Sequence, residues 1–489
     1  MLNVSGGARV IVPGSLAQTT TYILLEQEDW FEEEIRFVRR WLQPGMHAID
    51  VGANLGLYTA AMANAVGAAG TVWAFEPAPA TVGLLRRTVE LNRMHQVNVQ
   101  SSAVSEHMGT VGFALKERSE DNAVSAGGAA GENFVEVPSV TLDRMAREHQ
   151  WRDVDLLKLD VEGHEIAALR GAAEFLRAQS PLVMFEIKTK SRMDLAALRM
   201  LAELGYSSYR LLPGPLLLEP FDAESVDPSL LNLFACKPDR AARLATAGFL
   251  VEQPAGEVRM PSIEKWGSYA RTAPYCSELS GGWPATAGLL SGDGLREYLQ
   301  ALAAYVESRD PGKSAAERHG LLYRALELAG EALASEDSVA RRITCSRIMD
   351  DAGDRNLAAD MMHRTLRRLE EEDGDALAVP FLAPLECFER LAPGANARAW
   401  LRCAVTEQFE KRRNYSSMFD PGTTRTLLEP ILNNTFRSAE MERRWQLARM
   451  AGGMQDAPRS APLLCRQSEE NLNPQFWCPG SAGDQGRSG

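Results

Sequence analysis

The sequence predicts an α/β domain with a mostly parallel sheet, followed by an all-α domain. Two observations support this fold class. Over residues 1–240, short apolar runs alternate with amphipathic helical patterns. Over residues 295–451, helical patterns follow one another without strand signals. Strand–helix–strand alternation is typical of a parallel sheet that is covered by helices on both faces.

Each predicted element of the first half rests on its own pattern. The amphipathic pattern of residues 30–42 predicts a helix, and Pro44-Gly45 predicts its end. Later amphipathic stretches predict helices at residues 81–92 and 165–177, and residues 209–218 and 231–236 predict a late hairpin. Apolar runs predict five strands, at residues 48–51, 71–75, 97–104, 156–161 and 182–187.

The domain limits follow from changes in composition. We predict an α/β domain at 1–240, a Gly-, Pro- and Ser-rich linker or irregular subdomain at 241–294, and a helical domain at 295–451. Weak internal sequence similarity makes a repeat solenoid an alternative for the helical part. The polar tail at 452–489 is expected to be disordered. Helical patterns cover residues 295–308, 315–334, 339–351, 358–372, 376–391, 397–412, 424–434 and 439–450.

Charge and cysteine usage exclude several classes of protein. The net charge of −13 disfavours electrostatic binding of nucleic acid or anionic lipid, which needs a basic surface. Seven scattered cysteines without a CxxC pair indicate reduced thiols and no zinc site. We see neither a signal-peptide pattern nor an apolar run of membrane-spanning length. A cytoplasmic location is therefore expected.

The stretch AIDVGANLGLYT, residues 48–59, is the first candidate binding site. Asp50 ends a predicted strand, and Gly52 and Gly56 border the turn that follows it. Ligands of open α/β sheets bind at this edge, and glycine allows the backbone to approach them closely. The GxGxxG pattern of a pyrophosphate site is missing, and a leading carboxylate favours a cationic ligand. Alternatively, Asp50 only caps the following helix.

A second acid, Glu76, ends the next predicted strand, about twenty residues beyond Gly56. A carboxylate in this position commonly accepts hydrogen bonds from both hydroxyls of a ribose. An ammonium and sulfonium group near Asp50 together with a ribose at Glu76 describes S-adenosylmethionine. The loop after the third strand, from Ser102 to Val104, would border the adenine.

Several motifs in order resemble the FkbM-type methyltransferases. They are DVGANLGLYT (50–59), FEP (75–77), TLD (141–143), LKLDVEGHE (157–165) and LRGA (169–172). The resemblance covers roughly residues 20–237 and implies a class I methyltransferase-like Rossmann sandwich. It also implies S-adenosylmethionine-dependent methylation, mostly of hydroxyls on sugars, polyketides and related molecules. The expected cofactor-binding residues are Asp50, Gly52, Ala53, Asn54, Gly56, Tyr58, Glu76, Pro77, Ser102 and Ala103.

The DVEGHE motif at the fourth strand supplies the candidate catalytic residues, which are Lys158, Asp160, Glu162 and His164. Methyl transfer to an unactivated hydroxyl needs an in-line approach and removal of a proton. Asp160, Glu162 and His164 are candidate bases. Alternatively, the carboxylates could hold a divalent cation such as Mg²⁺. Lys158 could simply hold Asp160, and His164 could be surface. Glu186 is a further acid at this edge.

We therefore expect an S-adenosylmethionine-dependent O-methyltransferase. By resemblance, its acceptor is a sugar, a polysaccharide or another small hydroxylated molecule. One alternative is a non-catalytic scaffold with a methyltransferase-like fold, whose helical half binds a partner protein. A second is an oxidoreductase on a dinucleotide fold, against which the missing GxGxxG counts.

Overall fold

The computed structural model describes two compact units. The described residues are 1–451 except 117, 120–121, 125–132, 190–191, 194, 224–226, 228, 254–255, 257, 280–293 and 372–378. The first unit comprises Met1–Leu211 and Leu218–Glu252, and the second comprises Leu212–Leu217 and the described residues from Gln253 to Ala451. The domain limits given above remain predictions, and the expected disordered tail lies outside the described residues.

The strands and helices of the first unit alternate along the chain. Its strands are β1 (Leu2–Asn3), β2 (Arg9–Val10), β3 (His47–Val51), β4 (Thr71–Phe75), β5 (Val97–Gln100), β6 (Ala103–Val104), β7 (Gly109–Leu115), β8 (Ala123–Val124), β9 (Asn133–Val140), β10 (Val154–Leu159), β11 (Leu182–Glu186), β12 (Lys188–Thr189), β13 (Arg192–Met193), β14 (Ser207–Leu212), β15 (Leu217–Pro220) and β16 (Asn232–Cys236). Its helices are α1 (Thr19–Gln27), α2 (Glu34–Trp41), α3 (Leu57–Val66), α4 (Pro79–Leu91), α5 (Leu142–Glu148), α6 (Glu165–Arg170), α7 (Ala173–Ala178), α8 (Ala196–Glu203) and α9 (Pro238–Thr246).

An eight-stranded sheet forms the centre of the first unit. Its strand order is β15-β14-β16-β11-β10-β3-β4-β5. Strands β3, β4, β5, β10 and β11 run parallel, whereas β16 pairs antiparallel with both β11 and β14. The order reverses beside β3, so the edge where β3, β4 and β10 end is the expected ligand-binding crevice. The predicted α/β class with its mostly parallel sheet is confirmed.

A separate four-stranded sheet, in the order β6-β9-β7-β8, was not predicted. The prediction of a single strand at residues 97–104 is therefore wrong, because this segment forms two strands in two different sheets. The chain leaves the central sheet after Gln100, and Ala103–Val104 pairs with β9 instead. The two short pieces share one apolar pattern, so hydrophobicity alone could not show that they belong to different sheets.

The helix predicted at residues 165–177 is also two helices, α6 and α7, separated by Gly171 and Ala172. A Cβ at Gly171 would lie 2.0 Å from the carbonyl oxygen of Ser105. This close approach of another backbone segment requires glycine and coincides with the break, which a local periodicity cannot reveal.

The second unit is helical in the part that the structure describes. Its helices are α10 (Glu264–Thr272), α11 (Pro274–Leu279), α12 (Leu295–Ser308), α13 (Ala315–Ser335), α14 (Val339–Asp351), α15 (Arg355–Glu371), α16 (Glu386–Glu389), α17 (Ala397–Arg413), α18 (Pro421–Leu428) and α19 (Ala439–Ala451), with a short 3₁₀ turn at Glu429–Ile431.

Most of the predicted helices of the second unit are present, with two differences. Only the four residues of α16 are helical within the described part of 376–391, where Pro380 and Pro384 interrupt the pattern. The helix expected at 424–434 begins at Pro421 and ends at Leu428. Over the whole described chain, no helix combines the length and apolarity needed to cross a membrane.

Candidate active site

The turn between β3 and α3 lies at the carboxyl end of the first central strand. Gly52 has a φ of +82°, and a Cβ there would lie 1.7 Å from the carbonyl oxygen of Asp160. Any larger residue at this position would collide with the backbone after β10, so glycine is required here whether or not a ligand binds. Gly56 has a φ of +89° and is the N-cap residue of α3.

The backbone amides of this turn are used within the protein. Gly52 and Ala53 both donate their N–H groups to the carbonyl oxygen of Phe75, at 3.0 and 2.9 Å. Asn54 donates its backbone N–H to Glu76 Oε2 at 2.9 Å, and Gly56 donates to Ala53 at 2.9 Å. A phosphate site needs such amides free, so the geometry disfavours a pyrophosphate ligand here.

Asp50 is completely buried at the end of β3. Its Oδ2 accepts a hydrogen bond of 2.6 Å from the Thr59 hydroxyl, and its Oδ1 has no hydrogen-bond partner. Burial raises the pKa of Asp50, while Lys158 opposes the rise. Gly56 is the N-cap residue of α3, but the Asp50 carboxylate also interacts with the backbone N–H of Thr59 in the first turn of that helix. A helix-capping role for Asp50 therefore stays open beside ligand binding.

Glu76 follows β4 and reaches back to the turn. Its Oε2 accepts from Asn54, and its Oε1 accepts from the Ala78 N–H at 2.9 Å. Each carboxylate oxygen has two lone pairs, so both can still accept a hydroxyl. Burial raises the pKa of Glu76 to about 7, and the charge of Asp50 contributes a smaller increase. The two acids therefore interact electrostatically at neighbouring strand ends.

Lys158 links Asp50 to Asp160. It lies opposite Asp50 in the register of β3 and β10, and its Nζ is 3.9 Å from Asp50 Oδ1. The same Nζ donates to Asp160 Oδ2 at 2.8 Å and lies 4.8 Å from the centre of the Tyr58 ring. Burial lowers the pKa of Lys158, but the two aspartates raise it by more, which keeps it charged. These contacts support the interpretation of Lys158 as a charge partner.

Two further glutamates, Glu32 and Glu34, also face this edge. Glu32 lies just before α2 and Glu34 is the first residue of that helix, and the sequence patterns predicted neither as a site residue. Glu32 accepts a hydrogen bond of 2.7 Å from the Tyr58 hydroxyl, and burial together with the charge of Asp160 raises its pKa. Burial and the charge of Glu32 raise the pKa of Glu34 to about 8. Their run of acids, residues 32–34, resembles an ordinary exposed helix start, so no local signal marked them.

Asp160, Glu162 and Glu186 come together at the carboxyl ends of β10 and β11. Each contributes a carboxylate oxygen, and these oxygens lie within 4.8 Å of one another. Burial, followed by the charges of Asp160 and Glu162, raises the pKa of Glu186 to about 10. The cluster has the ligand types and spacing that a divalent cation could use.

The structure does not bring His164 into this acid cluster by any described contact. Its Nε2 lies 2.8 Å from the Ser105 hydroxyl, and burial lowers the pKa of the ring. Glu165 holds the preceding loop, because its Oε1 accepts from the backbone N–H groups of Val161 and Gly163, both at 3.2 Å. Glu162 lies in this loop with a φ of +52°, a conformation that non-glycine residues seldom adopt.

The remaining predicted cofactor residues are Pro77, Ser102 and Ala103. Pro77 directly follows Glu76 and is partly buried. Ser102 and Ala103 follow β5 and are buried, with Ala103 already paired to Ser139 of the small sheet. Their contact with an adenine remains a prediction.

These residues fit S-adenosylmethionine. Asp50 Oδ1 and Asn54 Oδ1 are both buried acceptors without a hydrogen-bond partner, beside a turn whose amides are largely occupied. Such orphaned acceptors would be stabilised by a cationic ligand with N–H donors. Glu76 could accept the two hydroxyls of a ribose.

A comparison with known families identifies the same region. Residues 50–208 match the family model described as methyltransferase FkbM domain. This match confirms the resemblance for that segment and supports S-adenosylmethionine-dependent methylation. No curated protein matches the chain.

Three solved structures to which the chain is similar are distant from it in sequence. The chain is similar to a methyltransferase FkbM from Methylobacillus flagellatus KT, with 16% identity, a TM-score of 0.27, and coverage of 44% of this chain and 47% of that one. It is also similar to an S-adenosylmethionine-dependent O-methyltransferase from Thermotoga maritima, with 19% identity and a TM-score of 0.25. That match covers 42% of this chain and 64% of the Thermotoga chain. A third match is Aeropyrum pernix fibrillarin with bound S-adenosylmethionine, at 14% identity and a TM-score of 0.24. It covers 40% of this chain and 67% of the fibrillarin chain. The chain thus spans about half of the Methylobacillus protein and under two thirds of the Thermotoga protein.

Proposed function

We propose that the first unit is an S-adenosylmethionine-dependent O-methyltransferase acting on a hydroxylated small molecule, such as a sugar or a sugar of a polysaccharide. The observation that carries the proposal is the arrangement of Asp50 and Glu76. Both carboxyls are buried at neighbouring strand ends, and both lie beside a turn whose amides are already hydrogen-bonded. This arrangement favours a cationic ribose-containing cofactor over a phosphate-containing one.

The chain's own residues would then orient the reactants and remove one proton from the acceptor hydroxyl. S-adenosylmethionine, when bound, supplies the electrophilic methyl group. Asp50 and Asn54 would bind its amino-acid end, and Glu76 would bind its ribose. Asp160, whose side chain is 35% exposed, would face the acceptor hydroxyl and take its proton. Lys158 would hold the Asp160 carboxylate in place through its 2.8 Å hydrogen bond.

A divalent cation at Asp160, Glu162 and Glu186 is the other way to acidify the hydroxyl. We favour the version without a cation, because Lys158 already places a positive charge on Asp160. A cation bound by that carboxylate would be repelled by the ammonium group. Transfer should therefore persist in the presence of EDTA, and a loss that Mg²⁺ restores would establish the cation version.

The test is transfer of labelled methyl from S-adenosylmethionine to an extract of the source cells. Asp160→Ala should reduce the rate by at least about a hundredfold while S-adenosylmethionine still binds. Glu174→Gln removes an exposed acid on α7 and is the matched control, which should transfer at the wild-type rate. Unchanged turnover in Asp160→Ala would refute the catalytic assignment.

The helical second unit is proposed to bind a partner protein or the acceptor. The scaffold alternative shares this feature but predicts no turnover. Labelled methyl appearing in any product with the full chain, and disappearing with Asp160→Ala, would contradict the scaffold alternative.

A further inference from the structure

Asn232 is a buried polar side chain that the proposed chemistry does not use. It begins β16, is only 5% exposed, and its Nδ2 has no hydrogen-bond partner. An amide donor left unpaired in the interior is destabilising relative to a paired one. Such a group at the ligand-binding edge of the sheet indicates that a ligand completes its hydrogen bonding.

Glu186 lies directly beside Asn232. The two residues are register partners on the antiparallel strands β11 and β16, so their side chains project from the same face of the sheet. Glu186 Oε2 is likewise buried without a hydrogen-bond partner. The Asn232 amide is a weak donor to the Glu34 carboxyl and lowers its pKa, but the contact lacks the geometry of a full hydrogen bond. The strand pair thus presents one unpaired donor and one unpaired carboxyl oxygen together.

This pair adjoins the proposed site of proton removal. A Glu186 oxygen and an Asp160 oxygen lie within 4.8 Å of each other. Two hydroxyls on neighbouring carbons are close enough for one to reach Asp160 and the other to reach Glu186. A carboxyl and an amide side by side can satisfy one hydroxyl as both donor and acceptor.

We propose that Glu186 and Asn232 form a subsite for a second hydroxyl of the acceptor, so that the enzyme methylates one hydroxyl of a vicinal diol. The inference rests on the proposed function. The unpaired Oε2 of Glu186 can accept a hydrogen bond from that hydroxyl, and the Asn232 amide can donate one to it. An acceptor without the second hydroxyl would leave both groups unpaired, which a site of this kind rejects strongly.

The first experiment changes the acceptor rather than the protein. The cell extract is treated with periodate, which cleaves carbon–carbon bonds between vicinal hydroxyls. It is then quenched and reduced with borohydride without dialysis, so that small acceptors stay in the extract. Labelled methyl transfer should be lost in the treated extract and retained in a mock-treated one. A mixture of both extracts must retain transfer, which controls for an inhibitor.

The outcomes separate the two proposals. Transfer that survives periodate treatment overturns the vicinal-diol inference and leaves the methyltransferase proposal standing. No transfer in the mock-treated extract counts against the proposed function, and the inference falls with it.

The second experiment changes the subsite. Asn232→Leu and Glu186→Leu, which remove every hydrogen-bonding atom of each side chain, should each lower kcat/KM for the untreated extract by roughly tenfold to a hundredfold. The Kd for S-adenosylmethionine should change less than about twofold, which also shows that the variants are folded. Equal losses of acceptor turnover and cofactor binding would indicate a structural role and contradict the proposal.

A divalent cation is the competing occupant of these carboxyls, and Mn²⁺ alone tests it by its paramagnetic resonance signal. Chelator-treated protein should leave added Mn²⁺ free in solution. Stoichiometric binding that Glu186→Gln abolishes would make Glu186 a metal ligand and overturn the hydroxyl subsite.

Discussion

At the scale of single residues, Gly52 shows how strongly one position is constrained. A methyl group there would meet the Asp160 carbonyl at 1.7 Å, and the φ of +82° is unfavourable for any other residue. Gly52→Ala should lower the free energy of unfolding by about 3 kcal/mol or more. Urea denaturation measures this, and Gly83→Ala is the control.

Gly83 lies within α4 with open space around its Cβ position. Alanine there should leave stability unchanged or raise it by up to about 1 kcal/mol. Equal effects of the two substitutions would contradict the packing of the Gly52 turn against the segment after β10.

Glu76 is expected to make stability depend on pH. Its pKa in the folded protein is about 7, against an ordinary value of 4.5, so between these values the folded protein binds the proton more tightly than the unfolded chain. Its contribution to the unfolding free energy must then decrease as the pH rises from about 4.5 to about 7, and remain constant above.

The measurement is urea denaturation at about pH 5 and about pH 8 for the wild type and Glu76→Gln. The wild type should lose more stability than the variant between the two pH values. The comparison removes the contributions of other buried acids, such as Glu34 and Glu186, which both proteins share. An equal loss in both proteins would show that Glu76 is not the titrating group.

The sequence predicted some of these residues and not others for a clear reason. Asp50 lies near the end of an apolar strand, and Glu76 and Asp160 each follow one directly. Their position at the sheet edge could therefore be inferred from the local pattern. Glu32 and Asn232 reach the same edge from segments far away along the chain. Only the tertiary fold brings them there, so a local pattern could not reveal them.

At the scale of elements, helix α13 begins with a complete capping box. The Ser314 hydroxyl accepts from the Glu317 N–H at 3.2 Å, and the Glu317 carboxylate accepts from the Ser314 N–H at 3.0 Å. Ser314→Ala should lower the free energy of unfolding by about 1 kcal/mol. Ser314→Asp keeps a capping side chain and should restore most of the loss. No difference between the two variants would contradict the capping role.

Strand boundaries illustrate the limit of sequence patterns at this scale. The buried parallel strands β3, β4, β10 and β11 were recognisable as apolar runs, whereas the division between β5 and β6 was not. Pairing with β9 decides that division, and β9 lies some thirty residues away in the chain.

At the scale of the whole molecule, the central claim is that the first unit holds a cationic nucleoside cofactor between two acids. The strand order of the sheet, the occupied turn amides and the match of residues 50–208 to a methyltransferase FkbM domain all support it. The second unit contributes nothing to this argument, and its proposed partner has to be found separately.

Isothermal titration of the full chain with S-adenosylmethionine tests this claim most directly, with NADH as the comparison ligand. The account predicts binding of one S-adenosylmethionine per chain, at least tenfold weaker binding by folded Glu76→Ala, and no binding of NADH. Folded wild-type protein that binds NADH, or that gives no heat with S-adenosylmethionine at several temperatures, would contradict it.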